Sequence, residues 1–282
     1  RLPVASDFHT NFHSYSSHYG FGLLRRAIVA YLRKFHNKAA VTLVPTEGIR
    51  RELLGHGYDN IEIIGRGVDT QLFHPGRRDA ALRAQWGVRE NETVVLYVGR
   101  LAAEKNMALV FRAFDAMREA NPACRMVLVG DGPERASWQA KRHDAIFCGT
   151  QIGESLAAHY ASGDVFLFPS LTETWGNVTI EAMASGLAVV AYDCAAAEEV
   201  IRHGENGLKA PPEDESGFIA EAVSLAAHPD LQRRLGTAAA ARAAHLSWDA
   251  IIDSFERVLL RLAQTQTATD EETDWPTVAR TG

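Results

Sequence analysis

Cysteine is scarce: the 282-residue chain has only Cys124, Cys148 and Cys194, with no Cys-x-x-Cys pair. This excludes a disulfide framework and a thiolate zinc site, and it suits a reducing, cytoplasmic setting. Basic charge is not in excess either. The 29 Lys and Arg stand against 35 Asp and Glu, a net charge of −6, which argues against nucleic acid as a partner. No apolar run approaches the roughly 18–20 residues that a membrane-spanning helix needs. There is no Asp-x-Asp pair of the kind that holds a divalent cation. The chain opens Arg1-Leu2-Pro3-Val4, with no initiator Met and no secretory leader pattern, and reads as starting inside a domain at a strand.

What is present is an alternation of short apolar runs and helical patterns. Strands are expected at Val4–Ser6, Ala40–Val44, Ile61–Ile64, Thr93–Val98, Met126–Val129, Ala145–Cys148, Val165–Phe168 and Ala188–Ala191. The runs are continuous rather than alternating, which means parallel sheets covered on both faces. There are too many units for one open sheet. The expected division is the C-terminal part of one Rossmann-like domain over residues 1–78, a complete second one over 79–247, a helix over 248–263 and a disordered tail over 264–282. In the helix that follows Leu23, the apolar positions Ile28, Tyr31, Leu32 and Phe35 recur at helical spacing. They are expected to face the first domain's core. A basic amphipathic helix of this kind can also lie on an anionic membrane surface.

In open parallel sheets, ligands bind where strands end and helices begin. Three such junctions stand out. In Val98-Gly99-Arg100-Leu101-Ala102-Ala103-Glu104-Lys105, two cations share one loop, a planar fork and a point charge suited to phosphate. They can equally be solvated surface charges. In Gly130-Asp131-Gly132-Pro133-Glu134-Arg135 the paired glycines allow a backbone to approach closely. Arg135 stands where a dinucleotide fingerprint needs its third glycine, which counts against a hydride-transfer enzyme.

The third junction, Pro169 to Gly186, holds Glu173 and, seven residues between, Glu181. Eight helical steps of about 1.5 Å give about 12 Å as an upper scale. A glycosidase pair needs about 5–9.5 Å, so these carboxylates suit two ends of one extended ligand. The helix start at Gly176 to Val178 presents free N–H groups to a diphosphate between them.

Glu173, Glu181 and the Ala182-Met183-Ala184-Ser185-Gly186 that follows resemble the motif of retaining glycosyltransferases of the GT-B fold, family 4. Gly99-Arg100 with Glu104-Lys105, Gly130-Asp131-Gly132-Pro133, Gly67-Val68-Asp69 with Phe73-x-Pro75, and Ala5 to Thr10 match the same family in order and spacing. The segment from His9 to Pro45 is most similar to bacterial GDP-mannose-dependent α-mannosyltransferases. The likeness covers roughly residues 2–262. It implies two Rossmann-like domains facing across a cleft, with the final helix, carrying Trp248, Phe255 and Leu259 on its apolar side, crossing back to the first. Family members carry a longer segment ahead of Val4, so the chain is expected to be a piece of a longer reading frame or a degraded relative.

Residue by residue, the resemblance implies that Glu173 holds sugar hydroxyls and Glu181 the ribose diol. Arg100 and Lys105 neutralise the departing diphosphate. Thr174, Trp175, Gly176, Asn177 and Val178 line sugar and diphosphate, Gly149, Thr150, Gln151 and Ile152 meet the base, and His9 reaches the donor sugar from the other domain. The implied reaction is hexosyl transfer with retention, mannose from GDP-mannose, to a lipid or glycan acceptor, with no cofactor and no metal. A UDP-sugar donor and a non-catalytic nucleotide-sugar-binding remnant are the other readings. His9, His13 and His18 lack the carboxylates and pattern of a metal site, and no nucleic-acid partner is expected.

Overall fold

The computed structural model describes residues 3–8 and 25–271. By its contacts the chain separates into two compact units, residues up to Gly65 with Asp249 onward, and Arg66–Trp248. The sequence division placed at residue 78 therefore moves to Gly65. Phe73 is buried in the second unit's core, and Arg78 donates to the Gly163 carbonyl and pairs with Asp164 at 2.8 Å. Residues 73–78 are thus wall, not linker.

In the first unit, β1 (Ala5–Asp7), β2 (Val41–Val44) and β3 (Ile61–Ile63) form a parallel sheet in that order, with α1 (Arg25–His36) and α2 (Glu47–Gly55) as connections. Thr46 caps α2 by accepting from Ile49 N at 3.2 Å. One apolar cluster is Phe8, Val44, Ile49, Leu53 and Tyr58 with Leu32; a second is Val41, Leu43 and Val258 with Leu262. The stripe expected to pack inward on α1 does so only at Leu32. Ile28, Tyr31 and Phe35 are 41, 71 and 55% exposed. The inward face instead ends on His36, which lies edge-on to Phe8, accepts or donates at Ser6 Oγ (3.0 Å), and has its pKa lowered by burial.

The second unit contains α3 (Ala80–Gln85), β4 (Thr93–Val98), α4 (Met107–Ala120), β5 (Cys124–Val129), α5 (Arg135–Lys141), β6 (Ala145–Phe147) and α6 (Gly153–Ala161). It continues with β7 (Val165–Phe168), α7 (Asn177–Ala184), β8 (Ala188–Tyr192), α8 (Ala195–Val200), β9 (Leu208–Ala210), α9 (Glu215–Ala227) and α10 (Pro229–Ala243). All six strands are parallel, in the order β6-β5-β4-β7-β8-β9. Counted within the unit this is 3-2-1-4-5-6, the doubly wound order. Its reversal between the first and fourth strands opens a ligand crevice at their carboxyl ends. Val94 to Tyr97 of β4 and Val165 to Leu167 of β7 have no exposed surface, so the two strands flanking the crevice lie in the core of the sheet. The strand β9 escaped the sequence reading because Leu-Lys-Ala is too short to show a period.

The last helix, α11 (Trp248–Glu271), runs into the stretch expected to be disordered; residues 272–282 lie outside the described residues. Its inward positions are Val258 and Leu262. Trp248, Phe255 and Leu259, expected on the buried side, are 43, 39 and 41% exposed. Among the described residues no helix is long and apolar enough to cross a membrane.

Candidate active site

Two loops meet at the crevice. After β4 the chain turns at Gly99, whose φ of +153° suits glycine. The Tyr97 hydroxyl donates to the Arg100 carbonyl at 3.0 Å and pins the loop. A 3₁₀ turn over Ala103–Lys105 ends at Asn106, a left-handed residue (φ 54°) that breaks the turn from α4 and sets the direction of Lys105. Arg100 extends from the same loop, 64% exposed at its side chain, with Glu104 3.9 Å away.

After β7 the chain carries Glu173. Its Oε1 accepts from both Ser170 Oγ (3.0 Å) and Lys105 Nζ, and the Lys105 and Glu173 side chains are 16 and 17% exposed. The crevice thus joins a cation from the first strand to a carboxylate from the fourth. Gly176 follows with φ +87° and opens α7, which no side chain caps. A Cβ there would meet Glu173 Cγ at 3.3 Å, so the glycine keeps the helix start against the carboxylate. The Trp175 carbonyl accepts from Ala196 N (2.7 Å), fastening this loop to α8. Thr172 Oγ1 and Trp175 Nε1 are buried with no hydrogen-bond partner, polar groups that are costly to leave unmet.

Glu181 sits one turn into α7. Its Oε2 accepts from the hydroxyl of Tyr160 on α6 at 2.9 Å. Burial raises the Glu181 pKa more than this bond lowers it, and it drives the phenol of Tyr160 far above its ordinary range. Neither Ser170 nor Tyr160 figures in the sequence reading. Ser170 was within reach, three residues before Glu173 in one loop. Nothing local connects Tyr160 with a residue on the next helix but one strand away.

The paired glycines allow a close backbone approach. A Cβ on Gly130 would lie 1.9 Å from the Gly99 carbonyl oxygen, and one on Gly132 2.4 Å from that of Leu101. What approaches them is the backbone of the neighbouring loop. Leu101 N donates to the Asp131 carbonyl (2.9 Å), and Gly130 N to that of Gly149 (2.8 Å), so three strand ends are laced together. Asp131 accepts from Gly132 N and from Arg135, which together hold its carboxyl below the usual range. Gly67 also serves an approach, since a Cβ there would lie 2.7 Å from Trp248 Cα.

In the loop after β6, Gly149 takes φ +69° beside the Arg135 guanidinium. Gln151 donates to the Cys148 carbonyl and accepts from Ser155, which leaves Thr150 and Ile152 outermost, Ile152 at 78% exposure. Thr174, Asn177 and Val178 sit at the α7 start, Asn177 exposed and the other two half-buried. His9 lies outside the described residues. Among the described residues no group of three His, Cys, Asp or Glu side chains could hold a metal ion.

A doubly wound sheet whose switch-point crevice combines cations, a carboxylate and an uncapped helix start has the chemistry that suits an anionic, phosphate-bearing ligand. Comparison with known proteins carries this further. A family described as "Glycosyl transferases group 1" matches residues 92–228, and "Glycosyltransferase Family 4" matches residues 1–72. The GDP-mannose-dependent alpha-mannosyltransferase of Mycolicibacterium smegmatis is 34% identical over 265 residues, 92% of this chain and 68% of that protein. The enzyme of the same name from Mycobacterium tuberculosis is 33% identical, over 89% of this chain and 65% of its own. Sucrose-phosphate synthase from Thermosynechococcus elongatus shares the fold at a TM-score of 0.76 and 24% identity, over 93% of this chain and 68% of its own. The chain belongs to the family 4 glycosyltransferases, and its fold is of the GT-B class. It spans about two thirds of the length of these two mycobacterial relatives.

Proposed function

We propose that this protein acts in retaining hexosyl transfer, taking mannose from GDP-mannose and passing it to a lipid or glycan acceptor. The observation that carries the reading is the Lys105–Glu173 pair at the strand-order reversal, beside the open start of α7. A nucleoside diphosphate competes with Glu173 for Lys105. As it binds, the cation passes to phosphate and the carboxylate is released toward sugar hydroxyls. The mycobacterial relatives named for GDP-mannose support that donor.

In the proposed reaction the bond from the anomeric carbon to the diphosphate breaks as one to the acceptor hydroxyl forms on the same face. The acceptor's proton goes to a departing phosphate oxygen. Charge builds on the diphosphate, and Arg100, Lys105 and the N–H groups from Gly176 to Val178 meet it. Fixed donors of this kind stabilise the transition state more than the ground state. Glu173 and His9 hold the sugar, Glu181 the ribose, and Gly149 to Ile152 the base. With two cations assigned to the leaving group, no divalent ion is required, and turnover is expected to survive excess chelator. Loss of turnover restored by magnesium or manganese would refute that part.

The donor site is tested by titrating GDP, and UDP in parallel, into the protein and its Arg100→Ala/Lys105→Ala variant by calorimetry. Charge-assisted bonds are worth about 1.5–3 kcal/mol each, so the variant should lose affinity by two orders of magnitude or more. Equal affinity in a folded variant would remove the reading, and tighter binding of UDP than of GDP would change the donor. The exposed side of α1, with Ile28, Tyr31 and Phe35 beside Arg33, Lys34 and Lys38, is proposed to rest on an anionic membrane surface that carries a lipid acceptor.

A further inference from the structure

Each carboxylate at the crevice is half engaged by the protein. On Glu173 both donors fall on Oε1. On Glu181 the engaged atom is Oε2, and its partner is Tyr160, a side chain with no exposed surface that stands edge-on to Phe73 (5.7 Å) and against Phe166 (6.0 Å). A phenol has a single proton to donate, and here it goes to Glu181. The ring is fixed by two aromatic neighbours from two different parts of the unit, the turn before α3 and the strand β7. Its hydroxyl therefore marks a fixed point in space for the Glu181 carboxylate. A glutamate on a helix surface otherwise samples several rotamers, and freezing it on binding costs free energy.

We infer that Tyr160 is a positioning residue for the donor: it anchors Oε2 of Glu181 so that Oε1 is presented, already oriented, to the hydroxyls of the nucleotide's ribose. The inference rests on the donor-site reading above and adds a residue that does not itself touch the ligand. A carboxylate held by one protein donor keeps its second oxygen in a defined plane, which suits a vicinal diol better than a freely rotating group. The same bond opposes the burial that raises the Glu181 pKa, favouring the ionised form that accepts from a diol. The titratable groups acting on this pair are Glu181 and Tyr160 themselves, with Tyr97 from β4 acting on Tyr160.

The test compares GDP with 2′,3′-dideoxy-GDP, which lacks the diol, on the unaltered protein and on Tyr160→Phe, with a melting curve for each. The unaltered protein should prefer GDP. Tyr160→Phe, which removes one hydroxyl from an aromatic surround, should lose about tenfold in GDP affinity and leave dideoxy-GDP within twofold. In a Glu181→Ala background the same change at Tyr160 should have no effect on GDP, because the group it positions is gone. An equal loss for both nucleotides, an undiminished preference for GDP, or a Tyr160 effect that persists without Glu181 would each overturn the inference. The two readings separate cleanly. If the unaltered protein binds neither GDP nor UDP, the donor site itself is wrong and the inference falls with it. If it binds GDP without preferring it over the dideoxy form, the ribose role of Glu181 is wrong although the nucleotide site stands.

Discussion

Glu181 shows how a buried carboxylate can work against the fold that holds it. Burial raises its pKa above the unfolded value, and the Tyr160 bond only partly opposes this. A group raised in this way favours folding below the ordinary carboxylate range, and that contribution is lost as pH rises through the raised value. Above the ordinary carboxylate range, neutral pH included, the side chain is therefore a net cost to stability. Glu181→Gln keeps an acceptor for Tyr160 and removes the charge. It should raise the melting temperature at pH 7.5 and weaken nucleoside diphosphate binding, a stability–activity opposition common at functional sites. The stability gain should shrink as the solution is acidified and both proteins become neutral at this position. A variant that melts lower at pH 7.5 would show that the charged hydrogen bond outweighs the burial. At this scale the sequence drew attention to Lys105 and Glu173 through their strand-to-helix loops and to Glu181 through its spacing from Glu173, and the structure brings Lys105 and Glu173 into contact. The sequence could not identify Ser170 and Tyr160 as partners, because one hydroxyl is like any other until the fold brings it to a carboxylate. For Gly130 and Gly132 the spacing rightly signalled a close approach, and only the structure names the neighbour as the Gly99–Leu101 backbone.

Among the elements, parallel strands were the most legible, since burial on both faces leaves a continuous apolar run. Helix orientation was less so. In α1 the apolar positions span a wide arc, and periodicity alone does not say which part of an arc packs. The structure buries His36, half-buries Leu32 and leaves Ile28, Tyr31 and Phe35 outward. On α11 the same ambiguity is resolved in favour of Val258 and Leu262. An outward stripe of apolar residues flanked by Arg33, Lys34 and Lys38 has the make-up of an interfacial helix. Tyr31→Asp/Phe35→Asp should therefore lower co-sedimentation with phosphatidylserine vesicles several-fold, and the unaltered protein should bind them less as salt is raised. Binding that ignores both the substitutions and the salt would separate this helix from any membrane role.

For the whole molecule, the doubly wound order was foreseeable from the alternation of strands and helices, but the border between the units was not. Phe73 to Arg78 carries Pro75, Gly76 and three charged or polar neighbours, the composition of a linker. What overrides it is packing: Phe73 meets Tyr160 edge-on, and Tyr160 in turn bonds Glu181. Val68 pairs with Ser247, and Val68 N donates to the Leu246 carbonyl at 2.8 Å, so the first and last segments of the second unit close on each other. A chain of residues 66–248 should accordingly fold by itself, because the large apolar cluster, including Val68, Phe73 and Ala243, lies wholly inside it. It also contains Arg100, Lys105, Glu173 and Glu181. It is expected to unfold in a single cooperative transition and to bind GDP within about tenfold of the full chain. A chain starting at residue 79 lacks Phe73 and the Val68 pairing, exposes one side of Tyr160, and should melt several degrees lower with weaker GDP binding. Calorimetry and thermal denaturation on the two chains decide the matter. If the shorter one is as stable and binds as well, the segment before residue 79 is a linker after all. If the longer one fails to fold, or folds without binding GDP or UDP, the second unit is not the self-contained nucleotide-binding body that its core and loops describe.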